Sequence, residues 1–491
     1  MDRIPIEIIR AIFQLASLQD TWNRSIRTHA EISEGRQWPG LFDLDRGPWV
    51  ISRVCREWKI VCTSAPELWS SFILSADNLP PGRDVAAISK LTTWLSFSKT
   101  TALSFLIKTD GICNHPDRSE LFRVLMKHSH RWGNIEVINS TFGFWLMLDR
   151  NNTKERLRSL KRVTFLSEGS NRGYVSDMTV KEPFNPSCYH VFANAPQLHA
   201  LINHDYFPLS QFEMPWSQIT EFDGSEQINF SDHVRILHRT PNLKICRLEI
   251  AIHGFDRLGP FKEAPSPFIT LNYLTTLRIH LMNSMIAESD SIGINISNLM
   301  TQLVLPSLRT LSLKSSIETI SAPFAEFAAV LRSSRCELQE IELYSLVVSQ
   351  PDDIVELLKA SPSLQRLCMS IDTSQGSRVI QDTILSCLVV NTPLDDILVP
   401  FLQSLQLVIP TRLAVVDFDL PCLSAGIRSR WAFPIEPGCF IRNLYLSVGR
   451  REYDDSKEDD QLPDKLPPIL EVLQEEGLKV IVQKLATSEL L

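Results

Sequence analysis

The chain has 491 residues, 44% of them hydrophobic and 22% charged. That is globular composition, and a length that asks for two domains or a small domain joined to a large repeat array. A net charge of −8 lacks the basic footprint of a general nucleic-acid binder and gives no electrostatic reason to sit on an anionic membrane.

The N-terminal MDRIPIEIIR is charged and amphipathic rather than a secretory signal, and no apolar run reaches the length of a membrane span. The 10 cysteines are scattered without a Cys-x-x-Cys pair. They read as reduced, mostly buried thiols of an intracellular protein. Glycine is sparse, which disfavours enzymes built on glycine-rich phosphate loops.

The first predicted element is a helix from Ile4 to Ala16. Pro5 suits a first turn, Glu7 complements the positive helix N-terminus, and Ile8, Ile9, Ile12, Phe13 and Ala16 recur at helical spacing. The pattern is lost from about 19 to 47, read as an inserted loop. Pro48 opens a second predicted helix, Trp49 to about Thr63, with Val50, Val54, Trp58 and Val61 in one stripe beside Ile51, Cys55 and Cys62. Ser64-Ala65-Pro66 ends it, and Glu67-Leu68-Trp69 begins a short third segment.

A proline- and glycine-bearing linker follows, Asn78 to Arg83. Then a helix (Val85–Ser98) leads to an alternating strand (Thr101–Ile107), and another helix (Leu121–His128) leads to the strand WGNIEVI, Trp132 to Ile138. The helix-then-strand unit recurs. Strands share an L-x-x-L-x-L skeleton starting at Leu160, Leu198, Leu274, Leu308, Leu338, Leu364, Leu402 and Ile441, with weaker copies at Leu243 and Ile219. The spacing falls near or beyond the upper end of the leucine-rich-repeat range. Single units of this kind cannot bury their apolar faces; stacked, they give an α/β solenoid of parallel strands backed by helices. The alternative is a generic α/β protein with leucine-rich strands. In LRTLSL, Leu308, Leu311 and Leu313 point inward, while Thr310, Ser312 and Lys314 point to the opposite, concave face. An acidic run at about 452–465 reads as a solvated loop, followed by a last helix, a stop at Gly477 and a closing strand.

Catalytic motifs are not found: there is no G-x-x-x-x-G-K-[ST], G-x-S-x-G or H-E-x-x-H. His128 and His130, two apart, would diverge on a helix. Cys113 and His115 lack an orienting third group. No enzyme activity, metal or cofactor is expected.

Ile4-Pro5-x-Glu7-Ile8-Ile9-x-x-Ile12-Phe13, then Val54-Cys55-x-x-Trp58, then Leu68-Trp69, resembles an F-box, and SRVCREWKIVCTSAPELWSSFIL is similar to the large fungal F-box families. Ile4 replaces the usual leucine, and the insertion at 19–47 is long. The resemblance implies a small three-helix F-box over 1–77 and a repeat domain over 78–491. It also implies the function of a substrate receptor in a cullin-based (SCF-type) ubiquitin ligase, docked on a Skp-type adaptor and through it on a cullin. Carried over by residue, the adaptor-facing set is Ile4, Pro5, Ile8, Ile12, Phe13, Val54, Cys55 and Trp58, closed by Leu68 and Trp69. The same bulky residues also suit the core of a helical trio. A second reading therefore stands: a leucine-rich-repeat scaffold whose F-box-like helices only cap the array. Exposure of Ile4, Pro5 and Val54 would distinguish the two.

Strand positions between the inward leucines offer a target-binding surface. The central ones are Arg247, Arg278, Ser312, Glu342, Cys368, Gln406 and Tyr445, basic, then acidic, then neutral along the array. The candidate target-binding residues are Arg247, Arg278, Lys314, Glu340, Glu342, Tyr344 and Tyr445. The target is expected to be a protein rather than a nucleic acid or a membrane.

Overall fold

The computed structural model describes residues 5–18, 41, 47–75, 84–108, 116–138, 142–151, 153–166, 189–204, 209, 212–224, 230–251, 268–282, 299–315, 324–344, 346, 351–370, 383–389, 398–410, 420–432, 441–449 and 468–485. Ile4, most of the insertion, the 78–83 linker, the Cys113–His115 pair and the acidic run at 452–465 lie outside them. The chain is α/β and divides into two compact units, Met1–Ile228 and Asn229–Leu491.

The first unit opens with α1 (Ile6–Leu18), started by Pro5, whose carbonyl accepts from the Ile8 and Ile9 N–H groups at 3.0 and 3.2 Å. The expected helix over 49–63 is in fact two, α2 (Gly47–Val54) and α3 (Arg56–Ser64). Cys55 between them is extended (φ −156°, ψ 174°), and its sulfur accepts from the Trp58 N–H. A side-chain acceptor on a non-helical residue starts a new helix, so the ladder breaks there.

A 3-10 turn, Pro66–Trp69, leads straight into β1 (Ser71–Ser75). Phe72, Ile73 and Leu74 are all buried, so the strand has no alternation by which the sequence could reveal it. Next come α4 (Asp84–Phe97), β2 (Leu103–Lys108), α5 (Pro116–Lys127), β3 (Trp132–Ile138), α6 (Phe142–Arg150), β4 (Arg162–Leu166), β5 (Ala200–His204) and β6 (Glu221–Gly224). α5 starts at Pro116, a favourable first-turn residue, rather than at Leu121. β1 to β6 pair side by side in chain order, all parallel. Their core is aromatic: Trp145 packs edge-on against Phe165, Phe192 and Phe212 at centroid separations of 5.3, 5.7 and 5.0 Å.

The second unit contains α7 (Phe230–Arg239), β7 (Ile245–Ala251), β8 (Ile269–Thr270), β9 (Thr276–Met282), β10 (Leu303–Val304), β11 (Thr310–Ser315), α8 (Phe324–Ser334) and β12 (Glu340–Tyr344). It continues with α9 (Pro351–Lys359), β13 (Arg366–Ser370), β14 (Ser404–Pro410), α10 (Leu420–Ala432), β15 (Asn443–Gly449), α11 (Pro468–Glu475) and β16 (Lys479–Leu485). β7, β9, β11, β12, β13, β14, β15 and β16 pair in that order, all parallel; β8 pairs with β10.

The skeleton leucines explain this regularity. The first closes a turn, as Leu308 N–H to Leu305 O at 3.2 Å, Leu364 to Ser361 at 3.1 Å and Leu402 to Val399 at 3.2 Å. The residue after it starts the lateral ladder, as Gln365 to Gln339, Gln403 to Gln365 and Arg442 to Gln403 at 2.8–2.9 Å. The second and third leucine positions stack across the strands. Cys246, Leu277, Leu311, Ile341, Leu367, Leu405 and Leu444 share one register row, and all are buried. Each parallel strand thus shares its apolar row with the next, which one unit alone has no means of covering.

Candidate functional site

α1 packs on α2 and α3, with the Phe13 and Trp58 rings 4.8 Å apart. The interior of this trio is continuous with the first helix–strand units. Trp69, fully buried, meets Trp49 at 4.9 Å, Trp94 of α4 at 5.0 Å and Phe97 at 4.7 Å. Its indole N–H donates to Cys62 O at 2.9 Å. Burial pushes the Cys62 thiol up to about 12, so it stays protonated. Leu41, also fully buried, donates to Ile73 O at 2.7 Å and accepts from the Trp49 indole at 3.2 Å. The end of the insertion is therefore fastened to β1.

The described motif residues divide into three groups. Phe13, Leu68 and Trp69 are buried and form the floor of the trio. Cys55 and Trp58 are half-buried. Pro5 is exposed, as are Ile8 (51%), Ile12 (51%) and Val54 (58%). Ile8 and Ile12 are one turn apart on α1, Val50 and Val54 one turn apart on α2, and Val50 and Ile6 are exposed too. Val50 and Val61 were expected to share a stripe. The break at Cys55 separates them, turning Val50 and Val54 outward while Val61 and Cys62 stay buried. Beside the break, Glu57 is held below the usual carboxylate range by a backbone hydrogen bond and then by the Cys55 side chain.

The second candidate site is the polar face of the sheet in Asn229–Leu491. The register puts Arg247, Arg278, Ser312, Glu342, Cys368, Gln406 and Tyr445 in one lateral row. Arg278 is exposed; Arg247, Glu342 and Tyr445 are half-buried. Cys368 does not present itself as expected. It is fully buried, and its thiol donates to the Tyr344 hydroxyl at 3.2 Å. Burial pushes Cys368 up to about 11 and also raises Tyr344, so both are protonated at neutral pH. Ser312 and Gln406 are buried as well. Glu340 pairs with Arg366 at 2.8 Å, and Arg366 donates to Gln406 at 3.0 Å. Burial lowers Lys314 to about 8, against the opposing pull of Glu249.

His128 and His130 are not on one helix. Their rings lie 6.4 Å apart, and burial, then Arg131, lowers His128. Among the described residues, no group of three or more His, Cys, Asp or Glu is placed to hold a metal ion. Among them, too, no helix is long and apolar enough to cross a membrane. Neither the family models nor the curated proteins compared with the chain match it.

Proposed function

We propose that this chain is the substrate-receptor subunit of a cullin-RING ubiquitin ligase of the SCF type. It docks a Skp-type adaptor, and through it a cullin, on α1 to α3, and captures a target protein on the polar strand face. In this reading α1 to α3 are an F-box and the strand–helix units are leucine-rich repeats. The protein works inside the cell as a binding subunit, without chemistry or cofactor of its own.

The observation that carries the reading is the exposure of Pro5, Ile8, Ile12 and Val54 at the motif positions that face the adaptor in an F-box. Apolar side chains held open at adjacent turns of two packed helices lose their hydration cost when a partner covers them. The competing scaffold reading draws on the Trp49–Trp69–Trp94 cluster, which ties the trio to α4. That cluster does not cover Pro5 or Val54.

The test is co-expression with a Skp-type adaptor. The wild-type chain should co-purify as a stable complex. Val54→Asp would bury an unpaired carboxylate in the interface, costing several kcal/mol, and should abolish co-purification while leaving the fold intact by circular dichroism. Full retention by the variant, or no complex with wild type, would sink the assignment.

A further inference from the structure

The polar face of the second unit carries two opposite charges at a fixed spacing, Arg278 and Glu342. Arg247 and Arg278 are register partners on β7 and β9. Two strand intervals from Arg278, through Ser312, stands Glu342. Among the described residues neither Arg278 nor Glu342 has an ion pair. The nearby cation Arg366 is engaged by Glu340 and Gln406 instead. Ser312 between them is short and buried, so this three-strand stretch of the row is a low floor between a positive post and a negative post.

We infer that this row binds an extended polypeptide segment lying across the strands, with an acidic side chain at Arg278 and a basic side chain at Glu342. Parallel strands are about 4.8 Å apart, so the posts stand about 10 Å apart. A polyproline-II segment rises about 3.1 Å per residue and repeats its face every third residue. An acid and a base three positions apart therefore meet both posts. A nucleic acid is disfavoured because Glu342 repels a polyanion. The inference rests on reading this face as the capture surface and is independent of the adaptor surface on α1 to α3.

The experiment probes the full-length chain with an array of proline-framed octapeptides carrying Glu, Lys or Gln at two positions one to five residues apart. The expected preference is for mixed Glu/Lys peptides at spacing three, at least tenfold over the Glu/Glu, Lys/Lys and Gln/Gln versions. Arg278→Glu should move the preference to Lys/Lys peptides, and Glu342→Lys should move it to Glu/Glu. Adaptor co-purification, measured on the same variants, should not change, which separates failure here from failure of the ligase reading. No binding, no dependence on spacing, or a preference unmoved by both substitutions would overturn the inference.

Discussion

Glu136 and Arg430 show how single residues set stability in this fold. Burial pushes the Glu136 carboxyl up to about 7, although Arg162 nearby favours its charge. An acid whose folded pKa is raised binds more protons in the folded state, so stability falls as pH rises from about 4.5 to about 7 and is level above that. Glu136→Gln should therefore stabilise the protein at pH 8 by up to about 3 kcal/mol and have almost no effect at pH 4. Urea unfolding followed at both pH values checks this; equal shifts at the two would contradict it. Arg430 is buried and donates to Leu388 O, Val399 O and Leu398 O at 3.0, 3.0 and 2.6 Å. Arg430→Met would leave those carbonyls unpaired and should cost about 3 kcal/mol, read as a lower unfolding midpoint. A pattern search for catalytic or repeat residues passes over both, because their roles come from carbonyls and charges distant in sequence.

At the scale of elements, β7, β9, β11, β12, β13, β14 and β15 are legible because each L-x-x-L-x-L positions its own turn, ladder start and core row, whereas β8 and β10 carry no such skeleton. The α2–α3 break was not, because Val50, Val54, Trp58 and Val61 keep a helical period across an extended Cys55. β1 escaped because both its faces are covered, and α6 because FGFWLMLDR is too apolar to present a stripe. The sequence reads the insertion as a loop, yet its Leu41 is a buried anchor on β1. Leu41→Ala should cost about 3 kcal/mol by leaving a cavity. Replacing 20–34 with a short Gly/Ser linker should change stability by less than about 1 kcal/mol, since closure entropy varies slowly with loop length. Thermal unfolding of the two variants tests the distinction, and equal damage from both would refute it.

At the scale of the molecule, the pattern of parallel strands was readable from leucine spacing. The division at Ile228/Asn229 was not, because the skeleton repeats on both sides of it. Of the proposed docking surface, the sequence names the motif residues but not their sorting: Phe13, Leu68 and Trp69 go inside, while Pro5, Ile8, Ile12 and Val54 stay outside. Trp69 is buried in the Trp49–Trp69–Trp94 cluster, which brings together residues from α2, the 3-10 turn and α4, and Phe13 packs on Trp58. The most direct measurement of the central claim is hydrogen–deuterium exchange of the full chain with and without a Skp-type adaptor. Peptides spanning Pro5–Phe13 and Trp49–Trp58 should exchange at least tenfold more slowly with adaptor, while the strands of the second unit are unchanged. Exchange in α1 and α2 unaffected by adaptor at saturating concentration would contradict the account.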